Sequence, residues 1–139
     1  MSALDFVELK LDEAGISYKT NLEENGEKKK LITFWKSSNN VNIRILLFLG
    51  KNSEWINLGT KIGNIRNFKT NSNKSVESTL LRLNNIIIGS KFTLDKFGNI
   101  YCNAELHSIS LNSETLRRIL GQIVHSVSLF NKETSKKKD

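Results

Sequence analysis

The first apolar pattern in the chain is helical. Between residues 2 and 15, four apolar residues recur every three or four positions: Leu4, Val7, Leu11 and Ala14. This spacing places them on one stripe of an amphipathic helix. Ser2 and Asp5 have the spacing of a capping box, and Gly15 suits the position after the last helical turn. The sequence therefore predicts a helix over residues 2–15.

Alternating patterns follow, and they predict strands. Four candidate strands precede the middle of the chain, over residues 16–21, 31–36, 41–49 and 55–62. Asn25-Gly26 favours a tight hairpin turn between the first two, because this pair readily adopts positive φ angles. Residues 50–53 are a second turn candidate. These patterns are typical of a helix followed by an antiparallel meander.

A second helix is predicted after residues 63–74, which have the composition of a connection. Ser75 can cap this helix, whose apolar positions recur at helical spacing: Val76, Leu80, Leu83 and Ile87. The end of the helix stays open, because Ile86-Ile87-Ile88 also fits the start of a strand.

A hairpin and a third helix complete the layout. Strand patterns cover residues 91–95 and 99–107, and Asn112-Ser113 begins the last helix. Residues 132–139 contain no apolar side chain and are expected to form a flexible polar tail after one domain over residues 1–131. The predicted fold is α+β, an antiparallel sheet with packed helices in the order α-β-β-β(-β)-α-β-β-α.

Composition fits a globular protein. A chain of 139 residues, 38% hydrophobic and 25% charged, has the size of one domain with its own core. Its longest apolar run, residues 45–49, is too short to span a bilayer, so no membrane contact is expected. The first residues lack the layout of a secretory signal, which makes a cytoplasmic location the expectation. The single cysteine, Cys102, shares a predicted strand face with Ile100 and Ala104, and we expect it to be buried.

The net charge of +7 is unevenly distributed. Residues 1–27 carry seven acidic and two basic side chains, whereas residues 28–74 carry ten basic side chains and one acidic. A basic segment of this kind can contact nucleic acid or an acidic partner. The chain is also rich in Lys, Asn and Ile and has no proline, which is what an AT-rich coding sequence produces. Codon bias therefore remains an alternative explanation.

No motif predicts catalysis. His107, His125 and Cys102 lack the spacing of metal ligands, and residues 59–63 lack the full spacing of a phosphate-binding loop. His107 lies near serines, but no nucleophile turn or third catalytic member accompanies it. We therefore predict no catalytic residue, no metal site and no cofactor, and we do not expect an enzyme.

The residues best suited to bind another protein are large aromatic side chains on half-exposed strands, Trp35, Phe48 and Trp55, together with the last helix. Both tryptophans also suit core packing, and Phe34 is expected to face the core. The alternative is nucleic-acid binding through six basic residues: Lys28, Lys29, Lys30, Lys36, Arg44 and Arg66. An inhibitor or immunity-type protein is a third possibility.

Several segments of the second half carry a family resemblance. They are Leu80-Leu81-Arg82-Leu83-Asn84-Asn85, residues 91–95 with Gly98-Asn99-Ile100, Ala104-Glu105-Leu106, and the helix from Ser113. In this order they resemble the YbjN-like family, whose members are similar in fold to type III secretion chaperones. The resemblance implies an antiparallel sheet packed by helices, a homodimer, and a non-enzymatic role in binding a protein or peptide. A chaperone-like module or regulatory adaptor is therefore our leading hypothesis.

Overall fold

The computed structural model describes residues 2–50 and 54–137, which form three helices and eight strands. The helices are α1 (Ala3–Ala14), α2 (Val76–Asn84) and α3 (Ser113–Glu133). The strands are β1 (Tyr18–Leu22), β2 (Lys28–Lys36), β3 (Asn42–Leu49), β4 (Trp55–Asn64), β5 (Phe68–Thr70), β6 (Lys91–Leu94), β7 (Asn99–His107) and β8 (Thr134–Lys136).

Six of the strands form one antiparallel sheet in the order β1-β2-β3-β4-β7-β6, and β5 pairs with β8 in a separate small sheet. The first four strands are sequential neighbours, whereas β6 and β7 return to the far edge after α2. This arrangement confirms the predicted α+β fold and its element order.

Local sequence signals determine where the helices begin and end. The Ser2 side chain accepts a hydrogen bond from the Asp5 amide while the Asp5 carboxylate accepts one from the Ser2 amide, which closes the predicted capping box. Gly15 ends α1 with φ at 71°, a left-handed conformation that glycine adopts without steric cost. Ser75 and Asn112 cap α2 and α3 through their side-chain oxygens.

The two faces of the six-stranded sheet differ in what covers them. Along β3, Ile43, Ile45 and Leu47 are at most 4% exposed and belong to a hydrophobic cluster that also contains buried apolar residues from each of the three helices. The alternate residues Arg44 and Phe48 are exposed, as the period of two along a strand requires for the opposite side. We call the first side the helix-covered face and the second the open face.

The long helix α3 supplies the centre of the core. Leu116, Leu120, Ile123 and Phe130 are all 0% exposed. The Phe130 ring meets the Phe68 ring edge-on, with 5.2 Å between centroids, and lies 6.0 Å from the Phe92 ring. Because Phe68 is on β5 and Phe92 is on β6, Phe130 joins both sheets to α3. Such ring pairs add to the free energy of simple burial.

Two polar residues of the YbjN-like segments have structural roles. The Asn84 side chain donates to the carbonyl of Phe92 and accepts from its amide, at 3.0 and 2.7 Å, so it ties the end of α2 to β6. The Asp95 carboxylate accepts from the amides of Asn99 and Phe97, both at 2.9 Å. These bonds from the Asn99 and Phe97 amides hold the pKa of Asp95 below its ordinary value.

Two segments expected to be irregular have regular structure. Residues 63–74 begin with the end of β4, followed by a short 3₁₀ turn over Ile65–Asn67 and then β5. In the expected polar tail, α3 continues to Glu133 and β8 follows it, where Thr134 is buried and donates through its hydroxyl to the Phe130 carbonyl. The tail prediction was wrong for residues 132–136, because strands β5 and β8 stabilise each other across a sequence separation that no local pattern reveals.

Strand β2 also begins earlier than predicted, at Lys28 instead of residue 31, so Lys28, Lys29 and Lys30 lie on the strand. The predicted turn over residues 50–53 lies largely outside the described residues. None of the helices in the described ranges has the length and apolar character that a membrane span requires.

The central position of Phe130 generates a stability prediction. Replacing Phe130 with Ala should lower the free energy of unfolding by about 3–5 kcal/mol, because the substitution removes a fully buried ring and leaves a cavity between three elements. Urea unfolding followed by circular dichroism measures the loss. Phe97, which is 65% exposed, provides the matched control: Phe97→Ala should change stability by less than about 0.5 kcal/mol. Equal losses in the two variants would contradict this description of the core.

Candidate functional site

The open face carries a continuous row of apolar side chains across three neighbouring strands. Phe34 on β2, Phe48 on β3 and Trp55 on β4 are 57%, 40% and 40% exposed. Between them lie Ile32, which is only 2% exposed, and the half-buried Leu46, and these two residues are directly paired across β2 and β3. We call these five residues the apolar row. Exposed aromatic side chains on a sheet supply large contact areas for a docking chain.

The strand registers determine the direction of the apolar row. Phe34 is paired with Arg44, whereas Phe48 is paired with Asn57 and Trp55 with His107. The row therefore runs diagonally from β2 to β4 and advances about 20 Å along the strand direction, at about 3.3 Å per residue. That length matches about six residues of an extended chain.

Trp55 is held by contacts at one end of the row. The His107 ring meets its indole edge-on, with 4.9 Å between centroids. His107 is itself positioned, because its Nδ1 accepts from the Ile109 amide at 3.2 Å and its Nε2 lies 3.6 Å from a carboxylate oxygen of Glu54. The indole is thus pre-oriented on the surface while much of it stays accessible.

Trp35 does not lie on the open face, where its proposed binding role would require it to be. It is paired with Ile43, it lies on the helix-covered face, and it packs partly buried against the core. Its indole N–H donates to the Thr33 hydroxyl at 2.7 Å. Phe34 points to the open face instead, so the expectation that Phe34 faces the core was wrong.

The open face is also strongly basic. Its register positions include six basic side chains and one carboxylate: Lys19, Lys30, Lys36, Arg44, Lys61, Lys91 and Glu105. Summed charge of one sign over a surface raises the local concentration of molecules with the opposite sign. Any partner of this face is therefore favoured if it is acidic.

The six basic residues of the nucleic-acid alternative do not form one surface. Lys30, Lys36 and Arg44 lie on the open face, and Lys29 is exposed on β2. Arg66 lies in the 3₁₀ turn, where its Nε donates to the Asn64 side chain at 3.3 Å.

Lys28 forms ion pairs with Asp5 and Glu8 of α1, so its charge is already neutralised. The hydrogen bond from Lys28 to Asp5 and those that Asp5 shares with Ser2 hold the pKa of Asp5 well below its ordinary value.

The groups that catalysis or metal binding would use are dispersed or buried. Cys102 is 0% exposed as predicted, and burial raises the pKa of its thiol to about 11. His125 is exposed on α3, remote in sequence from His107 on β7, and Gly59–Gly63 lies within β4 without a phosphate-binding turn. In the described ranges, no three His, Cys, Asp or Glu side chains are grouped as metal ligands.

A second exposed apolar surface lies beside α2. Leu81, Ile86 and Ile88 are 72%, 58% and 77% exposed. A shallow cavity of about 370 Å³ separates the segment containing Ile86 and Ile88 from α3, where Gly121 and Leu129 contribute to its lining. We call this the α2 surface. Exposed aliphatic side chains grouped in this way mark an interaction site more often than isolated ones do.

No family model matches the sequence, and no curated protein does so either. Solved structures are similar to it over nearly the whole chain. ExsC, crystallised as the ExsC–ExsE complex, superposes with a TM-score of 0.62 at 14% identity, covering 95% of this chain and 96% of that one.

Two further structures resemble it to a similar extent. The Yersinia pestis type III secretion chaperone SycH, crystallised with a fragment of YscM2, gives a TM-score of 0.58 at 16% identity, with 92% of this chain and 99% of that chain covered. YbjN from E. coli gives 0.63 at 13% identity, with 96% of each chain covered. The chain has the YbjN-like fold shared with type III secretion chaperones. At these identities the similarity concerns the fold.

The Asp5–Lys28 pair generates a pH prediction. The pKa of Asp5 is lower in the folded state than in the unfolded chain, so ionisation of Asp5 stabilises the fold. This stabilisation is fully present above about pH 4, the ordinary carboxyl pKa, and it is lost as the pH falls below that value. Asp5→Asn should therefore be less stable than the parent at pH 7, and the difference should shrink below pH 4. Urea unfolding across this range measures it, with Glu24→Gln, in an exposed turn, as the control. A difference that is independent of pH would contradict the ion-pair explanation.

Proposed function

We propose that this protein is a non-enzymatic binding module that holds an extended segment of another protein against the open face of its sheet, as a chaperone-like protein or regulatory adaptor. The observation that carries the proposal is the apolar row. Phe34, Phe48 and Trp55 remain exposed on three neighbouring strands although the fold has a large buried core.

The shape of the open face favours an extended partner. The apolar row is long and narrow and has basic side chains on both sides, which suits an extended chain laid along the row better than a compact domain. The fold is shared with ExsC and SycH, which were crystallised with protein partners. That similarity supports a protein partner for this chain too. Cys102, a single buried thiol, is compatible with the cytoplasmic location that the proposal assumes.

Capture of the partner tests the proposed surface. Affinity-tagged protein should retain a partner from nuclease-treated native cell extract, and mass spectrometry should identify it. The double change Phe34→Ala and Trp55→Ala should reduce this capture at least about tenfold, because it removes aromatic contacts at the centre of the interface. The double variant must keep the parent circular dichroism spectrum.

Phe97→Ala removes a ring outside the apolar row that is 65% exposed, more than Phe34 or Trp55, and should leave capture unchanged. Equal capture by the parent and the double variant would contradict the proposed surface. Capture that disappears on nuclease treatment, with affinity for single-stranded oligonucleotides that falls steeply with salt, would favour the nucleic-acid alternative.

We further propose that two copies associate through the α2 surface. Leu81, Ile86 and Ile88 place three large aliphatic side chains in water, and pairing with a second copy would bury them. Light scattering coupled to gel filtration should give about twice the mass of one chain. Ile88→Asp should shift the protein to monomers, because a carboxylate would be buried at the interface.

Ile109 offers a matched control, since it is 88% exposed and lies in the 3₁₀ turn after β7. Ile109→Asp should leave the mass unchanged. A parent protein that is monomeric at micromolar concentration, or a dimer that is insensitive to Ile88→Asp, would overturn this proposal while leaving the open face as a binding surface.

A further inference from the structure

The six-stranded sheet is split between its two central strands. Strands β3 and β4 are paired only from Leu46↔Gly59 to Leu49↔Ile56. Beyond Leu46, residues 42–45 of β3 have register partners on β2 alone. In β4, residues 60, 61, 63 and 64 have register partners on β7 alone. Each strand therefore presents a free edge to the gap between them, although both lie in the interior of the strand order.

A bulge in β4 accompanies this split. The register with β7 shifts between Lys61 and Gly63, and Gly63 has φ at 151°. A Cβ at Gly63 would stand only 3.0 Å from the Phe68 ring, so the absence of a side chain lets the ring pack against the strand. Bulges bend a strand and end its pairing. The bulge thus lies in the part of β4 that is no longer paired with β3.

The split opens into a groove of about 460 Å³ that we call the slot. Its apolar lining residues lie on or beside both strands and on the core side: Val41, Ile43, Leu46, Ile62, Phe68 and Val127. Four basic residues line it as well: Lys30, Arg44, Lys61 and Lys136. No carboxylate is among its lining residues, and none of the ion pairs between described residues involves these four basic side chains.

Asn131 provides an independent observation that points to a ligand in the slot. Its side chain lines the slot from α3, and its Nδ2 is buried without a hydrogen-bond partner. A buried amide donor is costly when it is unpaired. A carbonyl or carboxylate oxygen placed in the slot would satisfy it.

The geometry points to an extended acidic segment of the partner protein as the occupant of the slot, added as a short strand to the free edge of β3 at residues 42–45. This inference rests on the proposed function, since it specifies the chemistry of the protein that the open face binds. Free strand edges recruit extended chains through backbone hydrogen bonds.

The side chains of such a strand would alternate between the two faces of the sheet. On the open face they would meet Lys30, Arg44 and Lys61, and on the helix-covered face they would meet Ile43, Ile62 and Val127. The matching segment therefore alternates Asp or Glu with aliphatic residues. Basic or uniformly apolar segments lack this complementarity.

A defined probe tests the inference. A fluorescein-labelled octapeptide of alternating glutamate and valine should bind the full chain in an anisotropy titration at moderate salt. A peptide of the same composition with its four glutamates in one block, and an alternating lysine and valine peptide, should bind at least about tenfold more weakly. On binding, hydrogen exchange should slow in the segments that cover residues 42–45 and 60–64.

Charge reversal with a matched control locates the site. The double change Arg44→Glu and Lys61→Glu should weaken binding of the alternating peptide at least about tenfold. Lys19→Glu with Lys29→Glu makes the same change in net charge at two exposed lysines outside the lining of the slot, and should weaken binding less than about threefold.

Equal binding of the alternating and block peptides, equal losses in the two double variants, or no protection at residues 42–45 would overturn the inference. Tighter binding of a single-stranded oligonucleotide at the slot would overturn it in favour of nucleic acid. If cellular capture still depends on Phe34 and Trp55, the proposed function stands without this inference. If the alternating peptide does not bind and capture does not depend on Phe34 and Trp55, the proposed function is contradicted as well.

Discussion

The one-sided packing of helices against the sheet is the constraint on which the rest of the structure depends. Helix α3 places Leu116, Leu120, Ile123 and Phe130 against the apolar alternate residues of the strands, and all four are completely removed from water. Burial of apolar area on this scale is the main favourable term in folding. Because the helices bury this apolar area on one face of the sheet, the other face can carry side chains that do not contribute to the core.

The open face and the slot follow from this arrangement together with one irregular strand. A sheet with six fully paired strands would have no gap, but here the pairing of β3 with β4 ends at Leu46↔Gly59, β4 has a bulge near Gly63, and strand edges are exposed in the middle of the sheet. Apolar residues and unpaired backbone thus occur next to a high density of lysine and arginine. The same fold in another sequence would not need to share this charge.

The sequence predicts the fold well where the signals are local. Capping by Ser2, Ser75 and Asn112 and the apolar spacing in each helix locate all three helices, and alternation locates the six strands of the main sheet. Strands β5 and β8 could not be predicted, since three residues carry no period and their stability depends on a distant partner. The candidate site was harder to predict. In β2, Ile32 and Phe34 lie on one side of the strand and Thr33 and Trp35 on the other, so the sequence pattern allows either side to be buried. Only the pairing of Trp35 with Ile43 assigns Trp35 to the core side.

The most direct measurement of the central claim is site-specific photocrosslinking in the cells that produce the protein. Benzoylphenylalanine in place of Phe48, at the centre of the apolar row, should crosslink on irradiation to a discrete protein. The same group in place of the exposed Ile109 should give no such product. Crosslinks from position 48 to nucleic acid alone, or identical products from both positions, would contradict the claim that the open face binds a segment of another protein.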